Sequence, residues 1–525
     1  VIIIEPRSYQ ARWSLSWGIL LIALITAALF VTLAQRPLSH TDLWGHLAYG
    51  RYYEQLGFPQ SEPFLTHSTD APYVATSWLS QWLGYQIHQV GGPTTLQFTY
   101  AALVCGVAIV FLLTIKDNTN SLLLSFTGTT WLIWLEYQQL LTIRPQLAGI
   151  LCFVLFLLML SHRTLGRLSC LGFAILLIFW TNLHGSFVIA PVTLCLIIAG
   201  RSLDVFRNCR RRDVCLRESL TRVCRDKRLQ QLCTVVVIML LSTLINPYGV
   251  KLWWEVLTFS QSHNLYDLIE WKPLWKTPKQ GTAVLISLVA TSGLLLLTRC
   301  RLRAARWLPV VVFGVLMLKT SRYLVWWVPL FILAVMPILH LHTRRLFRFR
   351  MSQQFSKPFV QLVPGGVFVL LILGTLTIFF TISDRALQTS HPDFLRGTYS
   401  RNTPVEASLE LNKLFNDLPL DDSAPLIFNT MEWGDWLIWN SDAKLPVFVN
   451  SHVPLIEEQA WKDYMSFIRQ SDGWKERWQT YHFSAALIQH RRHDRLAKSL
   501  ENDPEWREVW KDQIAVIYWY QPRPK

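Results

Sequence analysis

Through residue 382 the chain repeats one pattern, apolar runs of 13 to 24 residues separated by polar breaks. A hydrocarbon core about 30 Å thick takes roughly 20 apolar residues as a helix. The runs predict about eleven transmembrane helices: 13–34, 94–115, 121–141, 146–161, 169–183, 186–200, 232–249, 281–298, 307–319, 324–342 and 359–382. Runs 146–161, 186–200 and 307–319 are short for a full span. The first follows Arg7 and Arg12, as a signal peptide would. No small-residue cleavage site follows it, and Gln35-Arg36-Pro37 comes directly after, so it reads as an anchor. Residues 35–93 form a long first outer loop. Within it TSWLSQWLGYQIHQVGG puts Trp78, Leu79, Trp82 and Leu83 on one helical face, predicting an amphipathic helix in the interface plane.

After residue 383 the apolar runs shorten to four to eight residues and charges intersperse. APLIFN and KLPVFVNSH read as strands and PLIEEQAWKDYMSFIRQ as an amphipathic helix. SAALIQH is a further strand, HDRLAKSLEND is helical, and WREVWKDQIAVIYWYQ holds one or two strands. The alternation predicts a compact α/β domain over 383–525, beside a helical bundle over 1–382. The tail carries no Gly-rich phosphate loop, nucleophile elbow or HExxH. Its sharpest polar pair is Glu432 and Asp435, flanking Trp433-Gly434, with a glycine-held turn as the plainer alternative.

Charge gives the bundle a direction. Before residue 383 there are 33 Lys+Arg against 14 Asp+Glu, and after it 17 against 21. With the N-terminus cytoplasmic, 24 of the bundle's basic residues fall on inward segments and nine on outward ones. This positive-inside bias puts the tail outside. The net charge of +15 is therefore an orientation signal and excludes a nucleic-acid partner. With 51% hydrophobic and only 16% charged residues, and mean hydropathy +0.26, the chain is no soluble enzyme. The 24 Trp and 28 Phe suit membrane interfaces. All nine Cys fall in spans or inward loops, so no disulfide is expected outside. Cys209, Cys215 and Cys224 lack CxxC or flanking His, so they read as thiols of a basic helical loop, not a zinc site.

Candidate chemistry gathers at the outer ends of the spans. Asp42 and His46 stand four apart, on one face of a helix. Glu136 lies within apolar sequence and Arg144 just beyond; Asn182 and His184 end the fifth span. Asn246 ends the seventh, followed by Glu270, and Lys319 and Arg322 join the ninth and tenth. Ionisable groups beside hydrocarbon are costly and face a bundle interior or cavity. For any one of them a structural role, such as a helix cap at Asp42 or a Glu136–Arg144 pair, competes equally. Together they predict a shared outer cavity. Arg144, Lys319, Arg322 and His184 would draw a phosphate, and Asp42, Glu136 and Glu270 would take a proton or hold a divalent cation.

These residues carry a resemblance. The chain resembles the GT-C superfamily, membrane glycosyltransferases that use polyprenyl-phosphate sugars, and within it a bacterial multi-pass group. The similarity lies in DLWGHLAYGRY, RPQL, WTNLHGS, NPYG, EWKP and FNTMEWGDWLIW. The tail's MEWGDW and VFVNSH are more distantly similar to the WWDYG region of oligosaccharyltransferase catalytic subunits. The resemblance implies a bacterial inner-membrane bundle with a periplasmic tail, and transfer of a sugar to an acceptor at the outer face. By it Asp42 matches the superfamily's first-loop acid, with His46 and Glu270 as further catalytic candidates. Glu136, Arg144, Asn182, His184, Lys319, Arg322, Glu432 and Asp435 are candidates for binding substrate. Relatives carry an adjacent acidic pair, whereas Leu43 follows Asp42, so a metal would draw a second carboxylate from Glu54, Glu62 or Glu270. Two other readings stand: a non-catalytic subunit of a larger complex that keeps the fold, and a transporter of a lipid-linked or anionic solute. Membrane lipids are partners in all three.

Overall fold

The computed structural model describes residues 17–39, 42–68, 72–162, 164–298, 302–346, 398–416, 425–442 and 444–521. Among the described residues thirteen α-helices precede the tail: α1 (Trp17–Ala34), α2 (Asp42–Leu56), α3 (Trp78–Thr119), α4 (Leu122–Leu140), α5 (Gln146–Ser161), α6 (Arg167–Leu183), α7 (Ile189–Arg210), α8 (Leu216–Cys224), α9 (Lys227–Ser242), α10 (Lys251–Thr258), α11 (Pro278–Thr298), α12 (Ala304–Lys319) and α13 (Leu324–Leu346). Ten of the apolar runs fall on helices; 359–382 lies outside the described residues. The described residues do not by themselves bear out eleven spans. By length and composition four described helices can cross a membrane: Trp78–Thr119, Gly185–Arg210, Pro278–Thr298 and Ser321–Thr343. Three shorter apolar helices, Ile22–Ala34, Gln146–Ser161 and Arg167–Leu183, stand beside them.

Local chemistry explains where the boundaries moved. The run 232–249 stops being helical at Ser242, because Asn246 folds back onto the Thr243 and Gly249 carbonyls and Pro247 follows. Long α3 is two helices end to end. Pro93 lacks an N–H, and Gly92 sits at φ +62°, which a side chain would disfavour. The kink separates the amphipathic segment from the apolar one. In lipid the helices gain little from hydrophobic burial and associate by close packing. Accordingly α13 is the axis: Val325, Trp326, Trp327, Val328, Phe331, Ile332 and Val335 are all buried against α3, α4, α5, α11 and α12.

The tail holds α14 (Val405–Asn416), β1 (Leu426–Asn429), α15 (Met431–Asn440), α16 (Glu458–Arg469), α17 (Trp474–Thr480), β2 (Phe483–Gln489), α18 (Asp494–Glu501), β3 (Trp506–Lys511) and β4 (Ala515–Tyr520). The sheet order is β1-β2-β4-β3, with β1 and β2 parallel and the other pairs antiparallel. KLPVFVNSH forms no strand. Ile427 bridges Val447, but the Asn429 side chain accepts from Phe448 N–H and donates to the Val449 carbonyl, ending the ladder there. Phe428, Phe448, Phe467, Trp478 and Phe483 interlock in the core, each worth about 1.5–3 kcal/mol of burial.

The tail docks on α2. Trp44 meets Trp436 edge-on at 4.8 Å and Tyr399 at 5.4 Å. Arg51 stacks 4.7 Å over Trp439 and pairs with Asp442. Leu38 and Thr398–Ser400 exchange backbone hydrogen bonds of 2.8 and 3.0 Å. Asn264, in the loop before α11, donates to the Val453 and Ile456 carbonyls, and Asp267 pairs with Arg469 at 2.9 Å.

Candidate functional site

Helix α2 starts at Asp42, where a carboxylate in the first turn suits the helix dipole. Asp42, His46, Tyr49 and Tyr53 follow at spacings of four, three and four, which makes one stripe. The Tyr49 hydroxyl donates to the buried Glu62 carboxylate at 2.6 and 2.7 Å, and His452 Nδ1 of the tail lies 2.8 Å from the Tyr49 hydroxyl oxygen. Gln81 links the stripe, donating to His46 Nδ1 (3.0 Å) while accepting from Tyr53 (2.9 Å).

Around Asp42 three loops supply an ion cluster. The Glu270 carboxylate bridges two guanidiniums: one oxygen lies 3.0 Å from Arg144, the other 3.1 Å from Arg322. Arg144 also reaches Asp42 at 3.6 Å. The loop before α11 is a chain of 3-10 turns, and Thr320 and Ser321 fix it by donating to the Glu270 backbone carbonyl at 3.1 and 3.0 Å. Trp271 lies 4.8 Å beneath the Arg322 guanidinium. The side chains of Asp42, Arg144, Glu270 and Arg322 stay 24, 16, 33 and 31% exposed, so the cluster lines an accessible surface. Burial alone would raise the Glu270 pKa, but Arg322 and Arg144 outweigh it and hold the carboxyl below its ordinary value.

His184 sits at the α6–α7 turn. Burial first, then Arg322, Arg144 and His46, push its pKa down to about 3. Its Nδ1 accepts from Ser186 N–H at 3.1 Å, so the neutral ring carries its proton on Nε2. An apolar cavity of about 440 Å³ opens by this turn, lined by Trp78, Ile178, Phe179, Asn182, Leu244 and Ile245 among others.

Asp435 closes the site from the tail. It is 1% exposed and accepts from Ser451 N–H at 3.2 Å. Burial and then the Asp42 charge push its pKa up to about 7. Gly45 of α2 makes room for it: a Cβ there would lie 2.2 Å from Asp435 Oδ1.

Four predicted residues stay out of this cluster. Glu136 is buried in α4 with neither oxygen hydrogen-bonded among the described residues, and Arg144 pairs with Asp42 and Glu270 instead. Asn182 is structural, accepting from the Trp78 indole (2.8 Å) and donating to the Ile178 and Ile245 carbonyls. Lys319 is exposed at the end of α12. Glu432 points away from Asp435 and pairs with Arg492 at 2.5 Å. The carboxylates do not fit a divalent cation. Asp42 and Glu270 both face guanidiniums, and among the described residues no three His, Cys, Asp or Glu groups stand together to hold a metal.

No family model matches the chain, and no curated protein is similar to it in sequence. Its architecture is another matter. The apo crystal structure of the Archaeoglobus fulgidus oligosaccharyltransferase superposes over 90% of this chain and 69% of its own, at TM-score 0.50 and 11% identity. The structure of that enzyme tethered to an acceptor peptide with the NVT sequon covers the same shares at TM-score 0.53 and 12% identity. The chain has an oligosaccharyltransferase fold. Archaeal oligosaccharyltransferase AglB from the same organism, with an inhibitory peptide and a dolichol-phosphate, aligns over 91% of this chain and 70% of its own, at TM-score 0.49 and 11% identity. The GT-C-like expectation is met at the level of fold.

Sequence reasoning missed His452 and Tyr49. His452 lies within VFVNSH, and Tyr49 completes the stripe begun by Asp42 and His46. The 3,4 spacing was a usable signal for Tyr49; nothing local marked His452.

Proposed function

We propose that the chain is a membrane glycosyltransferase, moving a sugar from a polyprenyl-phosphate donor to an acceptor at the outer face of a bacterial inner membrane. The N-terminus is cytoplasmic and the tail periplasmic. The observation that carries this reading is the convergence of Arg144 and Arg322 on one carboxylate beside Asp42. Two guanidiniums that grip a bridging carboxylate present the fork geometry that a phosphate needs. The donor's phosphate displaces Glu270 and its lipid tail follows the apolar cavity at Trp78. The acceptor oxygen bonds to the anomeric carbon as the bond to the phosphate oxygen breaks with its electron pair. Arg144 and Arg322 neutralise the departing phosphate, and Asp42 takes the acceptor proton. One displacement inverts the anomeric centre. Neutral His184 offers an Nε2 proton as a hydrogen-bond donor, while Asp435 and His452 border the acceptor side.

Transfer of a labelled polyprenyl-phosphate sugar by purified Asp42→Ala and Arg322→Ala variants is the test. A fall on the order of 10²–10³ is expected in each; unchanged transfer in both removes the mechanism. One observation favours a second reading, a non-catalytic subunit that keeps the fold. Glu270 already fills the guanidinium pair, as a side chain closing a disused site would. The Glu270→Gln variant separates the two: tighter donor binding supports displacement, and no donor binding by either form supports the disused site.

A further inference from the structure

At the opposite end of the bundle from Asp42 lies a second cavity, of about 220 Å³. It sits where α3 and α5 end and α9 and α12 begin, with α7 and α13 passing alongside. Its mouth carries Arg201, Arg228 and Arg306 with Asn118 and Ser161; its depth is Leu157, Leu160, Ile197, Leu232, Leu330 and Leu333. Leu330 lies six residues into α13, so the cavity runs from the helix ends toward the middle of the bundle.

The charges here are unbalanced. No carboxylate lines the cavity among the described residues. The nearby acids are engaged: Asp226 takes both hydrogen bonds of the Arg201 fork at 2.9 Å and caps α9. Asp204 accepts from the Ala304 and Ala305 N–H groups, and Asp117 accepts from the Ser161 hydroxyl. Arg228 donates to the Leu160 carbonyl at 2.9 Å, which fixes its head at the rim. Arg306 is half-buried and has no carboxylate partner among the described residues, with Arg303 as a further cation nearby. A guanidinium half-withdrawn from water gains most from an anion that enters with it.

We propose that this cavity is a binding site for an anionic phospholipid. The phosphodiester head meets Arg306 and Arg228, with Arg201 held beside them by Asp226, and an acyl chain enters the leucine-lined depth. Arginine clusters between membrane helices attract such heads, and the apolar floor excludes a purely hydrated ion. The site is independent of the proposed transfer chemistry, because it lies at the other end of the helices and shares no residue with the Asp42 cluster.

The test uses the full chain in phosphatidylcholine nanodiscs, with and without phosphatidylglycerol, read by native mass spectrometry and by melting temperature. The wild type is expected to retain phosphatidylglycerol selectively and to melt higher with it. Arg306→Gln should weaken retention roughly fivefold, since one basic residue is lost. Leu333→Trp, which fills the depth and leaves every arginine, should also abolish selectivity; it decides the case if Arg306→Gln fails to fold. Equal retention in the wild type and the variants overturns the site. Inorganic phosphate in phosphatidylcholine discs is the second arm. If phosphate alone gives the full stabilisation, the ligand is a free anion and the lipid assignment fails.

Discussion

Arginines stand at both ends of this bundle in different company. At the Asp42 end Arg144 and Arg322 each meet a carboxylate within 3.1 Å, and the four charges balance. At the opposite end Arg201 pairs with Asp226, whereas Arg306 meets no carboxylate among the described residues. A count of charges along the sequence treats them alike. What distinguishes them is the fold: one set is held in register by loops and by the tail, the other lines a cleft between helices. The first can change partners, whereas in the second, Arg306 has no acid among the described residues.

The comparison breaks most visibly at Arg144. Arg144→Ala should cut transfer by a factor on the order of 10²–10³ in the labelled-sugar assay, because it removes a cation from the leaving phosphate. Arg144→Lys should recover only part, since a point charge cannot replace the fork. A variant with wild-type turnover would mean that the outer pair is only a salt bridge.

Asp435 sharpens the same contrast through pH. Its folded pKa of about 7 lies above the ordinary value of 3.8, so the folded chain holds a proton that the unfolded one releases. The contribution of Asp435 to stability should therefore be full below about pH 4, fall by up to about 4 kcal/mol toward pH 7, and level off above it. The raised pKa of His452, where Glu62, Asp435 and Asp42 outweigh burial, adds loss in the same direction above pH 6.5. Denaturation midpoints of the wild type and Asp435→Asn across this range measure it; the Asn variant should lose most of the slope.

A smaller effect is expected at Gly45. Gly45→Ala drives a methyl group against Asp435 and should cost about 1–3 kcal/mol. Pairing it with Asp435→Ala should restore much of the loss, which a double-mutant cycle on melting would detect. Smallest is Arg51→Ala, which removes a stacked cation from Trp439 and an exposed ion pair, worth about 1 kcal/mol. Limited proteolysis of the tail should register it.

Much of the bundle was legible because an apolar run of fixed length has one stable form in lipid. The helices at 146–161 and 324–342 followed from that alone, whereas the kink at Gly92-Pro93 in α3 emerged only in the fold. The 3-10 turns that carry Glu270 were not legible, since their shape comes from Thr320 and Ser321 fifty residues on. Asp42, Arg144, Glu270 and Arg322 stood out as charges among apolar neighbours, and the fold brings them together. Glu432 misled for the opposite reason: three residues along a helix from Asp435, it turns to Arg492. His452 meets Tyr49 across 403 positions of sequence, a contact that only the docked tail creates.

The central claim is that the Arg144–Arg322 pair holds a lipid's phosphate in place of Glu270. A structure of the chain with a bound polyprenyl phosphate tests it most directly. The account predicts the phosphate within hydrogen-bonding distance of both guanidiniums, Glu270 swung away, and the lipid in the cavity beside Trp78. Glu270 still bridging the two arginines, with the lipid bound elsewhere, would contradict it.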